Sequence, residues 1–107
     1  MTWFSALILF ECRVGGILPS DGFYELSVRL VQAKDSAAAL AEAESIGKEH
    51  AHEYLNGEGE LVSWTFKKVV EAQELANQTL TSGSEVYSRI FGSQDSLGAH
   101  LVAPTAD

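Results

Sequence analysis

Residues 35–60 read DSAAALAEAESIGKEHAHEYLNGEGE and predict the one long helix of the chain. Asp35 can accept hydrogen bonds from the free backbone amides of the first turn, and Asn56-Gly57 supplies the stop. Between them, small and apolar residues recur at helical spacing, so that one face of the helix can lie close against a sheet. The central stripe of this face consists of Leu40, Ala43, Gly47, Ala51 and Tyr54.

Four strands are predicted around this helix. Residues 3–14 are apolar on both faces, which is typical of a strand that is covered on both sides. Residues 24–32 and 61–72 alternate apolar with polar side chains, and residues 85–91 predict a last short strand. In the second strand we expect the following side chains to face inward: Tyr24, Leu26, Val28 and Leu30. The order strand, strand, helix, strand, strand is typical of an α+β protein in which a four-stranded, mainly antiparallel sheet carries one long helix on one face.

The length of 107 residues predicts a single domain over residues 1–91, followed by a flexible tail over residues 92–107 that is rich in Gly, Ser, Ala and Pro. Cys12 is the only cysteine, so no intrachain disulfide can form and the cytosol is the expected compartment. The apolar start of the chain meets Glu11 before a membrane span of about 20 residues is complete. We therefore expect neither a signal peptide nor a membrane segment.

Negative charge is concentrated in the helical segment. The formal net charge of the chain is −8, and residues 35–60 hold seven acids against the single base Lys48. With 15 acids to 7 bases overall, direct binding of nucleic acid is not expected. The acidic side of the helix is either a solvated surface or a docking face that steers a basic protein partner. The residues of this candidate acidic docking face are Glu42, Glu49 and Glu53.

Polar and charged residues also collect on the outward positions of the predicted strands. They could share the sheet face that the helix leaves uncovered, and form a polar pocket beside Trp3 or Trp64. Opposite charges on neighbouring strands equally stabilise an ordinary exposed sheet, by about 0.2 to 1 kcal/mol per pair. Both interpretations stay open until the strand order is known. The residues of this candidate ligand or interface face are Glu25, Arg29, Lys67, Glu85, Tyr87 and Arg89.

No set of residues predicts a catalytic, cofactor-binding or metal site. On a helix, His50 and His52 would point about 200° apart, and they do not form the H-E-x-x-H pattern of zinc proteases. Cys12 is expected to be a small buried thiol rather than a nucleophile. The glycine pair Gly15-Gly16 lacks the spacing of a phosphate-binding loop. The sequence therefore favours a protein that is not an enzyme and carries no cofactor.

Short fragments spread over residues 3–90 match the pattern of a known family. They are Trp3-Phe4-Ser5-Ala6, Tyr24-Glu25, Gly47-Lys48, Trp64 with Phe66, and Gly83-Ser84-Glu85-Val86-Tyr87-Ser88. On these residues the chain resembles the small bacterial domain-of-unknown-function family numbered 4288. The resemblance implies a compact, cytosolic bacterial domain. It transfers no catalytic residue and no known activity.

Three hypotheses on function follow. The leading one is a non-enzymatic protein-interaction module, of the inhibitor or immunity type, that binds through its acidic helix or its uncovered sheet face. The alternative is a small-molecule binder or enzyme that uses the sheet face or a homodimer interface. The third is a subunit of a larger assembly. The concentration of negative charge and the lack of paired catalytic groups favour the first hypothesis.

Overall fold

Four antiparallel strands and one helix form the fold in the computed structural model, which describes residues 1–18 and 23–94. In chain order the elements are β1 (Thr2–Val14), β2 (Tyr24–Ala33), α1 (Ser36–Glu49), β3 (His52–Leu55) and β4 (Leu61–Glu74). The predicted α+β class with one antiparallel sheet is confirmed. The predicted tail over residues 92–107 lies outside the described residues from position 95 onward.

β1 is the central strand of the sheet. The strand order is β2-β1-β4-β3, and every neighbouring pair is antiparallel. The pairing of β1 with β2 is regular from Thr2↔Ala33 to Glu11↔Tyr24. The pairing of β1 with β4 shifts register twice, which introduces two bulges into β4. β2 and β3 are therefore the edge strands of the described sheet.

The hydrophobic core lies between α1 and one face of the sheet, which we call the helix-side face. The opposite face is called the reverse face. On β1, Ile8 and Phe10 point to the helix-side face and pack with Ala43 of α1. A Cβ atom built on Gly47 would lie only 3.2 Å from Cγ2 of Ile8 and 2.7 Å from Cε1 of Phe66. The small residues of the helix thus allow the close approach that the sequence predicts.

The start of α1 agrees with the prediction, whereas its end does not. The Asp35 carboxylate accepts a hydrogen bond from the backbone N–H of Ala38 at 2.9 Å and caps the helix. The helix stops at Glu49, with His50 as its C-terminal cap. Within the described residues, no helix is long and apolar enough to cross a membrane.

The sequence predicted that the helix continues to the stop at Asn56-Gly57. This prediction was wrong, because residues 52–55 form β3. β3 pairs with residues 61–64 of β4, and the side chain of Asn56 closes the connecting turn. Its Oδ1 atom accepts hydrogen bonds from the backbone N–H groups of Glu58 and Glu60, both at 2.9 Å. The closed turn and the strand pairing outweigh the helical periodicity. Tyr54, predicted in the buried stripe of the helix, is consequently exposed on an edge strand.

The predicted last strand, residues 85–91, is also corrected. The described residues contain no strand after Glu74, and β3 supplies the fourth strand instead. Residues 75–88, which we call the strap, cross the reverse face over β1 and β4 without regular structure. The strap is fixed by hydrogen bonds to side chains, since Ser5 donates to the carbonyl of Val86 and Gln73 bonds twice to the backbone of Ser88. Side chains of β1 and β4, rather than a neighbouring strand, thus bond the backbone of Val86 and Ser88.

The orientation of β2 is the reverse of the predicted one. The register places Tyr24, Leu26, Val28 and Leu30 opposite odd-numbered residues of β1, on the reverse face. Only two residues near the end of β2 are buried under α1, namely Val31 and Ala33. An alternating pattern identifies two unlike faces of a strand, but it does not tell which face the helix covers.

Candidate functional site

The six residues predicted to share a polar face are divided among several places. Glu25 and Arg29 lie on the helix-side face of β2, because they pair with Phe10 and Ala6 of β1. Lys67 lies at a bulge of β4. The three others belong to the strap and the residues after it: Glu85, Tyr87 and Arg89. The guanidinium of Arg89 stacks over the ring of Phe91 at 5.7 Å. A polar pocket made by all six residues is therefore not formed.

Tyr87 links the strap to β4 through a side-chain hydrogen bond. Its hydroxyl group donates a hydrogen bond to Oε2 of Glu71 at 2.6 Å. This hydrogen bond raises the pKa of Tyr87 above its ordinary value, burial and the charge of Glu71 raise it further, and Arg89 lowers it. The phenol is thus held in its protonated, donating form, which suits this link and not a general base.

A buried carboxylate lies on the reverse face of β1, and sequence reasoning did not select it. Glu11 is only 5% exposed. Its Oε1 atom accepts from Nε of Arg13 at 3.0 Å, and its Oε2 atom lies 3.5 Å from Nζ of Lys67. Both carboxylate oxygens are thus held by cations, so the cluster is a structural ion pair. The signal in the sequence was an acid inside an otherwise apolar strand.

The histidines do not converge on a shared site. His50 caps α1 and lies with Nε2 3.2 Å from Nη1 of Arg29. His52 belongs to β3, where its ring stacks on that of Tyr54, so the helical geometry assumed for this pair does not apply. No group of three or more His, Cys, Asp or Glu in the described residues could hold a metal ion.

Cys12 is buried in β1, as the sequence predicts. Burial raises the pKa of its thiol above the ordinary value, because the charged thiolate is poorly solvated there. The thiolate is the nucleophilic form of cysteine. The arrangement therefore does not favour covalent chemistry at this residue.

The predicted acidic docking face is divided between two elements. Glu42 and Glu49 are exposed on α1, whereas Glu53 lies on β3 and accepts a hydrogen bond from Ser63 at 3.2 Å. An open groove of about 750 Å³ runs between α1 and β4, with Leu40 and Phe66 on its walls. Its basic groups are partly neutralised, since Lys48 pairs with Glu44 at 2.8 Å. The groove is also lined by Lys67 and Lys68, and Lys67 lies 3.5 Å from the carboxylate of Glu11. Two of its three lysines thus already have a carboxylate partner, and the groove is open rather than enclosed, unlike a typical small-molecule site.

The outer edge of β2 is different, because no other strand of the described sheet pairs with it. The N–H of Cys12 donates to the carbonyl of Phe23 at 2.8 Å, so odd-numbered residues of this strand direct their backbone groups to β1. The even-numbered residues of β2 then direct their N–H and C=O groups away from the sheet. No hydrogen bond from another described residue reaches these outward groups.

The same even-numbered residues carry large apolar side chains. The exposed fractions are 52% for Tyr24, 49% for Leu26, 46% for Val28 and 39% for Leu30. We call these four side chains with the outward backbone of β2 the open edge. The strap covers the neighbouring reverse face of β1, where Leu7 is only 3% exposed, but it leaves the open edge uncovered. The sequence analysis assigned these residues to the core, because the alternation along β2 does not show which face of the strand the helix covers.

The chain belongs to a described family. The sequence model of the family "Domain of unknown function (DUF4288)" matches residues 3–88, which is most of the chain, and the resemblance predicted from short fragments is confirmed. No curated protein and no solved structure matches the chain.

Proposed function

We propose that this member of the DUF4288 family is a non-enzymatic protein-interaction module that binds another polypeptide by strand addition at the open edge. The observation that carries the proposal is that one strand combines exposed apolar side chains with backbone groups that no described residue pairs with. In strand addition the backbone hydrogen bonds supply affinity, and alternate side chains supply specificity. Both components are present on β2.

Few of the features that protect an edge strand are present on β2. Natural edge strands avoid unwanted pairing by being short, by forming bulges, by carrying Pro or charged side chains, especially Lys, or by being covered. β3 has only four residues, and β4, which extends beyond β3, has two bulges and carries Lys67 and Lys68. β2 has ten residues without proline or lysine, and its pairing with β1 is regular. Its two charged side chains, Glu25 and Arg29, are opposite in sign and so permit pairing with a complementary strand. A long, regular edge without proline or lysine is expected where pairing is the function.

The charge and the single cysteine of the chain suggest the type of partner and the compartment of this module. An inhibitor or immunity-type protein would cover its partner, and with a net charge of −8 the acidic residues of α1 would favour a basic partner at that separate surface. The cytosol is the compartment that a chain with one buried cysteine favours. The alternative of a small-molecule binder would use the open groove between α1 and β4, where Lys48 and Lys67 are already paired with carboxylates.

Site-specific photo-crosslinking in cells tests the proposal. A photoreactive amino acid at Val28 should produce a covalent adduct with a polypeptide, since this position is at the middle of the open edge. The matched control is the same amino acid at Ala41, which is exposed on α1. If position 28 gives no more polypeptide adduct than position 41, the open edge is not a docking surface and the proposal fails.

Proline substitutions on β2 test whether its outward backbone N–H groups bind the partner. Val28→Pro removes an N–H group that points outward, so the chain should fold while the adduct from a probe at Leu26 is lost. Ser27→Pro instead removes an N–H group that pairs with Ile8 of β1, and should destabilise the fold. If the Val28→Pro variant is folded and still yields the adduct, the backbone of β2 does not bind the partner.

A further inference from the structure

We infer that the partner at the open edge is β2 of a second copy of this chain, paired antiparallel about a twofold axis at Ser27. The inference rests on the proposed function and names its partner. The two four-stranded sheets would join into one eight-stranded antiparallel sheet. Three features of the described structure support this pairing: the phase of the backbone groups, the positions of two opposite charges, and the path of α1.

Only every second residue of β2 directs its backbone N–H and C=O groups outward, and this alternation allows only some of the antiparallel registers. Outward N–H and C=O groups belong to the even-numbered residues of β2 in both copies. Even-numbered residues must therefore lie opposite even-numbered residues, which requires a twofold axis that passes through a residue and not between two residues. With the axis at Ser27, Leu26 lies opposite Val28 of the second copy and Tyr24 lies opposite Leu30. These pairs would exchange roughly eight backbone hydrogen bonds across the interface.

The charged side chains select one register among those allowed. Glu25 and Arg29 lie on the same face of β2, two positions on either side of Ser27. An axis at Ser27 places each Glu25 opposite Arg29 of the second copy, in the pair type that lacks backbone hydrogen bonds and brings side chains closest together. An axis at residue 25 or 29 would instead place like charges opposite each other. An axis at residue 26 or 28 would leave both charges opposite uncharged residues.

Both charges are available for this interaction. The structure gives Glu25 no hydrogen bond or ion pair among the described residues. Arg29 has two side-chain contacts in the described structure. Its Nε donates to Oγ of Ser27 at 2.8 Å, and its Nη1 lies 3.2 Å from Nε2 of His50. Arg29 thus lacks a carboxylate partner within the described part of its own chain, and the second copy would supply one.

The path of α1 leaves the centre of the proposed interface partly open, since Glu25 is exposed and Ser27 is half-buried. Near its start the helix lies over β2, where Ala39 packs with Ala33. Near its end it lies over β4, where Gly47 approaches Phe66. The helix therefore crosses from β2 towards β4, while His50 at its end still contacts the side chain of Arg29. On the reverse face, four apolar side chains from each copy would form one continuous stripe.

Analytical ultracentrifugation of the purified full chain is the first test. A species of twice the chain mass of 11.6 kDa is expected at micromolar concentration. Glu25→Arg and Arg29→Glu should each weaken the dimer by at least about tenfold, because each variant places two pairs of like charges across the axis. Glu42→Arg, an equal change of charge on the exposed surface of α1, should leave the dimer unchanged.

A mixture of the two single variants decides the register. In a heterodimer of the Glu25→Arg and Arg29→Glu chains, every charge at these positions lies opposite its complement. An equimolar mixture should therefore recover a dimer within about threefold of the wild-type affinity, although each variant alone dimerises at least about tenfold more weakly. The double variant Glu25→Arg/Arg29→Glu should recover it as well. Circular dichroism of each variant confirms that the fold is retained.

The outcomes separate this inference from the proposed function. A wild-type chain that remains monomeric up to about 100 μM, far above the dissociation constants of specific dimers, overturns the homodimer. A dimer that is insensitive to the charge exchange overturns the register. In either case an adduct between position 28 and a different polypeptide in cells would still support strand addition. Loss of that adduct as well would remove both proposals.

Discussion

Replacing Gly47 with alanine tests how closely α1 approaches the sheet. In an exposed helix this change stabilises a protein by about 1 kcal/mol, since glycine is a poor helix former. In this chain the new methyl group would lie 2.7 Å from Cε1 of Phe66 and 3.2 Å from Cγ2 of Ile8. We expect Gly47→Ala to destabilise the fold, because the methyl group has no space.

The magnitude follows from two opposing effects. Overpacking of a core costs about 1 to 3 kcal/mol, and the larger values apply where the neighbours cannot move. Ile8 is fully buried, whereas the half-buried ring of Phe66 can shift in part. An overpacking cost of about 2 to 3 kcal/mol less the gain of about 1 kcal/mol in propensity leaves a net loss of about 1 to 2 kcal/mol. For a domain of this size, that loss lowers Tm by roughly 5 to 10 °C.

Urea unfolding followed by tryptophan fluorescence measures this loss. Gly57→Ala is the control, since a Cβ atom at Gly57 would meet nothing within 4 Å, and its effect should stay within about 0.5 kcal/mol. In the double variant Gly47→Ala/Phe66→Leu, the smaller side chain should relieve the overpacking, with a coupling of about 1 kcal/mol. If Gly47→Ala stabilises the protein by about 1 kcal/mol, the helix does not lie against Phe66 and the described core is wrong.

Three further predictions concern polar groups. Asp35→Ala should cost about 1 kcal/mol in thermal unfolding because Ala38 loses its cap, whereas Asp35→Asn should cost much less; equal losses would contradict capping. Tyr87→Phe should cost about 1 kcal/mol at neutral pH. Because Glu71 raises the pKa of Tyr87 above its ordinary 10.0, the stabilisation should be complete below pH 10.0 and vanish as pH rises through the raised value; a constant difference between pH 8 and 12 would refute this. Glu11→Gln should cost about 1 to 2 kcal/mol in urea unfolding, and an unchanged midpoint would show that the buried ion pair is neutral to stability.

The sequence was sufficient for features that depend on local chemistry. Asp35 starts α1 because a carboxylate at this position can bond the free amides of the first turn, whatever the rest of the fold does. The small residues around Gly47 indicated a close approach to a sheet, and the structure places Phe66 and Ile8 there. The burial of Cys12 likewise follows from its place in the most apolar strand.

The errors concern features that depend on distant parts of the chain. Residues 52–55 have helical periodicity, yet their pairing with residues 61–64 is a nonlocal interaction that no local pattern reports. Residues 85–91 have the alternation of a strand, but side chains of β1 and β4 bond the backbone of the strap instead. The face of β2 that α1 covers is decided by strand order. The alternation along β2 was therefore predicted correctly, but the open edge was missed because the apolar side of the strand was assigned to the core.

Two independent features meet at β2. The strap covers apolar side chains of the reverse face at β1, as the burial of Leu7 shows, so the chain has the means to shield that face. Bulges and lysines protect β4 against added strands, so the chain also has the means to blunt an edge. Within the part of the chain that the structure describes, neither form of protection is found at Leu26 and Val28, where an exposed apolar face and an outer sheet edge coincide. Polar substitutions at these two exposed positions should therefore leave folding stability within about 0.5 kcal/mol while weakening association, a separation that a purely structural role of β2 would not produce.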